Sequence, residues 1–310
     1  MPASTTTVGA AVLARLAAQA EVLAALDPAV RADEPDSVHR MRVACRRLRS
    51  ALQTYGRLFA GSRTRELARE LKWLGAVLGQ ARDREVLGRR LLSGARDLPP
   101  ECRPEELAER LARWSQEEYE RVRPEVLLAI DSPRRRALAV ALNGLLADPP
   151  LRGRAARPAL AELARVAARE QRRTAARVRA AQAAEPGPDQ DTTLHEARKA
   201  AKRARYAAET AEPVAGRPAR RYADRMKAVQ ELLGEHQDAV VAAAALHGLA
   251  TGASAVPPGP AAEGDGESVR AEAFGYGVLY AGQLAAGAVA REGLPAVWAR
   301  AAEHHLADFG

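Results

Sequence analysis

The sequence predicts an all-α protein, on three observations. The 310-residue chain is rich in Ala, Leu, Arg and Glu, with 47% hydrophobic, 28% charged and only 4% aromatic residues. That is the composition of helices; sandwiches and barrels draw on β-branched and aromatic runs. Apolar residues recur at three-to-four spacing almost throughout, broken by Pro or Gly. Finally, two sequence blocks recur at a nearly constant offset, the mark of a duplicated helical unit.

The periodicity places helices over 5–27, 36–59, 63–97, 104–131, 133–147, 155–184, 190–211, 217–250, 267–291 and 294–308. Ser37 or Asp36 is placed to cap the second, and Asp191 or Thr192 the seventh. Pro124 is expected to kink or break the fourth. The Pro/Gly/acidic segment 251–268 reads as a flexible surface loop. With no strand-like run of convincing length, the expectation is antiparallel bundles joined by short turns, in two halves over 1–150 and 151–310.

Composition also excludes function classes. Cys45 and Cys102 are too few for a disulfide scaffold and have no zinc spacing, so they read as ordinary thiols of a reducing cytoplasm. The N-terminus has no basic segment ahead of an apolar stretch, so no signal peptide is expected. The uncharged stretch 273–290 is mostly Ala and Gly with Gln283 inside, and reads as a tightly packed core helix with no membrane role. A net charge of +8 and a pI near 10.0 point to anionic partners.

The repeat carries the functional argument. VHRMRVACRRLRSAL from Val38 aligns without gaps on LHEARKAAKRARYAA from Leu194. His39 then matches His195, Arg42 matches Arg198, Arg46 matches Lys202, Arg47 matches Arg203 and Arg49 matches Arg205, at an offset of 156 residues. A second block follows each copy at an offset of 155, matching Lys72 to Lys227, Gly79 to Gly234 and Asp83 to Asp238.

At about 100° per residue, His39, Arg42, Arg46 and Arg49 fall within one stripe about 80° wide, and so do His195, Arg198, Lys202 and Arg205. Arg47 and Arg203 lie off it. Eight Arg and no acid stand between Ser37 and Arg65. Cations this dense repel one another at i,i+3 and i,i+4 unless an anion neutralises them. Lys occurs only at 72, 199, 202 and 227, all inside the repeated segments of an otherwise Arg-biased chain, as if a compact ammonium fits there. Arg65 and Arg220, seven residues before Lys72 and Lys227, extend the same face. Asp83 and Asp238 are expected to orient Arg47 and Arg203 as structural ion pairs, with a metal or general-base role as the alternative. For His39 and His195 three readings stay open: a satisfied core imidazole, a donor beside phosphate, or a catalytic base. Helix 155–184 adds Arg169, Arg172, Arg173 and Arg177.

A basic stripe fits nucleic acid, anionic lipid or a phosphate polymer. No zinc finger, zipper or clear helix-turn-helix is visible, and aromatics for base stacking are scarce. A membrane-surface helix would carry Trp or Phe on a strong apolar face. A chain of phosphates needs only donors along a path, which Arg supplies as a bidentate fork.

The H-x-x-R-x-x-x-R-R-x-R run at His39 and H-x-x-R-K-x-x-K-R-x-R-Y at His195 resemble the CHAD domain, the conserved histidine α-helical domain. The L-G-x-x-x-D elements at Leu78 and Leu233 and the G-x-G-V-L segment at Gly275 with Trp298 fit as well. The resemblance implies two pseudo-symmetric four-helix bundles around a basic central pore that binds inorganic polyphosphate without catalysis, cofactor or metal. The wall would be His39, Arg42, Arg46, Arg49, Arg65 and Lys72 from one half. The other half would supply His195, Arg198, Lys199, Lys202, Arg205, Arg220 and Lys227. The CYTH triphosphatase domain often fused to the family has no E-x-E-x-K counterpart here. The implied location is cytoplasmic, in association with polyphosphate granules. A generic polyanion or nucleic-acid scaffold is the alternative, and a metal-dependent phosphohydrolase a second one.

Overall fold

The computed structural model describes residues 6–251 and 266–302. The 252–268 part of the expected loop, the end of helix 294–308 and the histidines at 304 and 305 lie outside the described residues or side chains. The helices are α1 (Val8–Ala25), α2 (Asp27–Arg31), α3 (Ser37–Thr54), α4 (Arg63–Arg96), α5 (Pro104–Asp131) and α6 (Pro133–Ala147). They continue as α7 (Ala159–Ala183), α8 (Pro188–Ala215), α9 (Arg217–Ala250), α10 (Gly266–Glu292) and α11 (Leu294–Ala301). The described residues hold no strand, only isolated bridges at Thr7–Pro158 and Phe59–Leu151.

Most expected boundaries hold within a few residues, and the exceptions are local. The first predicted helix ends at Ala25, and the short α2, whose Pro28 suits a first turn, follows as a separate element. The second ends at Thr54, and Gly56–Leu58 tighten into a 3-10 turn. Asp36 is the residue before α3 but sits at φ 59° and makes no side-chain cap. Thr192 and Asp191 lie inside α8, which starts earlier, at Pro188 after the left-handed Gly187. Pro124 does not end α5, which continues to Asp131.

The chain divides into two compact units, along a different line from the repeat halves 1–150 and 151–310. The first is Met1–Gly79, Glu125–Glu231 and Leu294–Gly310. It mixes the halves because α3 and α8, one from each, pack on each other, with α1 against both. Its buried side chains include Leu16, Met41, Leu48, Leu71, Leu74, Leu163 and Tyr222. On α8, Ala197, Ala201, Ala204, Ala208 and Ala211 are all buried at helical spacing, while α7 lies along α8. Gln190 Nε2 donates to the Ala181 and Ala184 carbonyls, closing the last turn of α7.

The second unit is Gln80–Pro124 and Leu232–Gly293. Four helical segments share its core: Leu87, Leu91 and Ala95 of α4, Leu107, Leu111 and Trp114 of α5, Leu246 and Leu249 of α9, and Tyr276 and Leu279 of α10. Gly88 allows the α4–α5 approach, since a Cβ there would collide with the Ser115 side chain. Arg90 ties α4 to Glu235 at 2.6 Å and to Gln283 at 2.5 Å.

The reading of 273–290 as a tightly packed helix needs correction. Phe274, Leu284 and Val289 are exposed, and one third of the apolar window in Arg270–Ala301 is buried. This segment and Val8–Arg31 are long and apolar enough to cross a membrane by length and composition.

Candidate anion-binding site

The two motif helices, α3 and α8, enclose a cavity of about 390 Å³ inside the first unit. The first copy lines it with Arg42, Arg46 and Arg49, and α4 adds Lys72. The second copy contributes His195, Arg198, Lys199, Lys202 and Arg203. Ser50, Gln53 and Tyr206 supply further polar groups, and no Asp or Glu lines the cavity.

Helical spacing positions these cations, and tertiary contacts orient them. Arg46 Nε donates to Tyr206 Oη at 2.6 Å, which aims a first-copy guanidinium across at the second copy. Arg42 lies against Gly79, where an added Cβ would meet its guanidinium at 3.5 Å. Gly79 thus beds an arginine of the cavity wall. Lys199 is held by Glu196 at 2.6 Å, a hydrogen bond that lowers the glutamate's pKa.

Crowding of like charge shows in the protonation equilibria. Burial, then Arg198, Arg46, Arg42 and Arg205, push the Lys202 amine down to about 6. Burial and Arg46 also lower Arg49. Among the described residues no carboxylate pairs with Lys202, Arg49 or Lys72 within 4 Å. The free energy stored in that repulsion is released when an anion enters.

Other expected residues go elsewhere. Arg65 lines an adjoining cavity that shares Lys72. His39, Arg205, Arg220 and Lys227 are not among the cavity's lining residues. Arg205 stacks on the Tyr206 ring with its Cζ 4.8 Å from the centroid and pairs with Glu209 at 3.2 Å. Lys227 pairs with Glu231 at 3.5 Å, and Arg220 is exposed.

The expected structural ion pairs are also replaced. Arg47 pairs with Glu209 at 3.2 Å, in place of Asp83, and Glu209 holds Arg15 at 2.5 Å too. Arg203 lines the cavity, and the charges acting on it are Arg173, Glu170, Glu196 and Arg177, not Asp238. Both aspartates fall in the second unit. Tyr206 and Glu209 were missed because each acts across the α3–α8 contact; the tyrosine that closes the second motif was the available signal. Among the described residues, no group of three His, Cys, Asp or Glu is placed to hold a metal ion.

An all-helical chain whose two H-x-x-R helices converge on one acid-free cavity defines a class. The chain belongs to the CHAD domain family, which matches it over residues 14–247. It is 35% identical over 271 residues to the uncharacterized proteins MT2285 and Rv2226 of two Mycobacterium tuberculosis strains. That match covers 84% of this chain and 47% of each relative, so the chain spans about half their length. Its fold is similar to the CHAD domain of the plant Ricinus communis, with a TM-score of 0.70 and 26% identity over 95% of this chain and 92% of that one. It is also similar to PptA from Streptomyces chartreusis, with a TM-score of 0.72 and 24% identity over 94% and 99%.

Proposed function

We propose that this protein binds inorganic polyphosphate, without catalysing a reaction on it, in the cavity between α3 and α8. One observation carries the reading: Arg42, Arg46, Arg49, Arg198 and Lys202 converge from both motif copies on a cavity with no acidic wall. Arg forks donate to phosphate oxygens two at a time, and Lys202 and Lys72 add point charges. Membership of the CHAD family supports the same ligand class. The reading carries with it a cytoplasmic location and association with polyphosphate granules.

Calorimetric titration with long-chain polyphosphate at several salt concentrations is the test. Binding should weaken steeply as salt rises, by release of condensed counterions. Charge reversal at Arg42→Glu plus Arg198→Glu should abolish the heat while the helical circular dichroism persists. No heat from the unaltered protein, or an affinity indifferent to salt, removes the reading. Displacement by DNA or RNA at equal charge concentration would reduce the site to a general polyanion binder.

A further inference from the structure

Three cavities adjoin along the first unit, and they differ in how their cations are compensated. Beside the cavity described above lies a larger one, of about 720 Å³, which shares Gln53 and Lys72 with it. Arg57, Arg65, Arg69 and Arg152 join Lys72 in its wall, and no acidic side chain lines it. Arg65, Arg69 and Lys72 stand at i, i+4 and i+7 on α4, a spacing at which like charges repel. Among the described residues none of Arg57, Arg65, Arg69 and Lys72 has an ion-pair partner within 4 Å. Glu70, next in sequence to Arg69, is engaged by Arg134 at 2.6 and 3.2 Å. Arg152 is held in place by its Nε bond to the Phe59 carbonyl at 2.9 Å.

The third cavity, of about 240 Å³, meets the second at Arg57. Three of its arginines, though not Arg57 or Arg172, are already neutralised. Arg154 and Arg165 pair with Glu162, and Arg169 with Glu170 at 3.0 Å. A wall without carboxylates therefore runs through two cavities, whereas Glu162 stands in the wall of the third.

We propose that a linear polyanion occupies both cavities at once, with Arg57, Arg65, Arg69 and Arg152 forming a second station joined to the first at Lys72. The inference rests on the polyphosphate reading above and adds a chain-length requirement to it. Once one stretch is held at the first station, reaching the second is intramolecular, so a chain long enough to span both gains affinity that a short one lacks.

The test compares tripolyphosphate with long-chain polyphosphate by titration at several salt concentrations. The double variant Arg57→Ala/Arg69→Ala removes two exposed cations that hold nothing else in place. It should weaken long-chain binding about tenfold or more and shrink the salt slope by about 1.5, two phosphate contacts' worth. Arg221→Ala/Arg225→Ala removes the same charge from exposed positions of α9 and should change long-chain affinity less than about twofold. If the Arg57/Arg69 variant matches the unaltered protein, or if the α9 control loses as much, the second station is wrong while the first stands. If the unaltered protein binds no long-chain polyphosphate, the underlying reading fails instead.

Discussion

Arg46 Nε donates to Tyr206 Oη at 2.6 Å, and the two residues belong to different copies of the repeat. In the alignment Tyr206 stands where the first copy has Ser50, and Arg46 where the second has Lys202. The bond therefore crosses the pseudo-symmetry and breaks it. It spends one donor of Arg46 on orientation and leaves the others facing the cavity.

Removing that hydroxyl should loosen the guanidinium without opening the core. Tyr206→Phe keeps the buried ring, on which Arg205 also stacks. The lost bond is worth about 1 kcal/mol, since the guanidinium is only part-buried and can turn to water. Thermal unfolding should fall by about 2 °C, and polyphosphate affinity by about two- to fivefold. An unchanged affinity would show that Arg46 needs no such guide.

Lys202 should make binding proton-linked. In the empty protein its amine titrates near 6, well below the ordinary 10.5, because it is buried among Arg198, Arg46, Arg42 and Arg205. A phosphate chain offsets those arginines and raises the value, so complex formation takes up a proton above pH 6. Affinity then grows as pH falls toward 6 and levels off below it. His195 lines the same cavity, so the measurement is the difference between the unaltered protein and Lys202→Met. Titration at pH 7.5 in buffers of different ionisation enthalpy should show less proton uptake in the variant. Stability runs the opposite way. Between 6 and 10.5 the unfolded chain holds the proton that the folded one lacks, so this lysine destabilises the fold increasingly as pH drops through that window. Lys202→Met should unfold at a higher temperature at pH 7, with the advantage shrinking toward pH 10.5.

Arg42 resting on Gly79 gives a size-dependent prediction. Gly79→Ala adds a methyl in ordinary contact with the guanidinium, at 3.5 Å. It should gain about 0.5–1 kcal/mol from helix propensity and leave polyphosphate affinity within twofold. Gly79→Leu has no such room and should push Arg42 aside, lowering affinity about tenfold with the helical signal intact. If both bind alike, Arg42 is not seated there.

How much of this was legible in the sequence depended on the range of the interaction. Helix limits follow from local periodicity and Pro/Gly breaks, and α4, α5, α6 and α9 lie within a residue of the expected ranges. The charged stripe on α3 and α8 is also local, and Arg42, Arg46, Arg49, Arg198 and Lys202 all reach the cavity. Pairing is not local. Arg47 finds Glu209 because α3 packs on α8, which no spacing within α3 encodes. The Asp36 cap failed: the residue takes a left-handed backbone, in place of the extended one usual at an N-cap, and its side chain makes no cap bond.

The repeat also suggested an equivalence that two acids undo. Glu209 and Glu231 of the second copy stand where the first has Gln53 and Ala76. Each acid lies four residues beyond a cation and draws it along the helix: Arg205 to Glu209, and Lys227 to Glu231. Their first-copy counterparts, Arg49 and Lys72, have no such neighbour and line the cavity, with Gln53 and Ala76 beside them. Lys72→Ala should therefore lower long-chain polyphosphate affinity about three- to tenfold and reduce the salt slope by about 0.8. Lys227→Ala should change affinity less than about twofold, although the repeat makes the two lysines equivalent. Ala76→Glu recreates the second copy's arrangement in the first and should weaken binding at least as much as Lys72→Ala, because it both diverts Lys72 and places a carboxylate on the cavity wall. Equal losses at Lys72 and Lys227 would mean that the symmetric sequence pattern, and not the asymmetric cavity, governs binding.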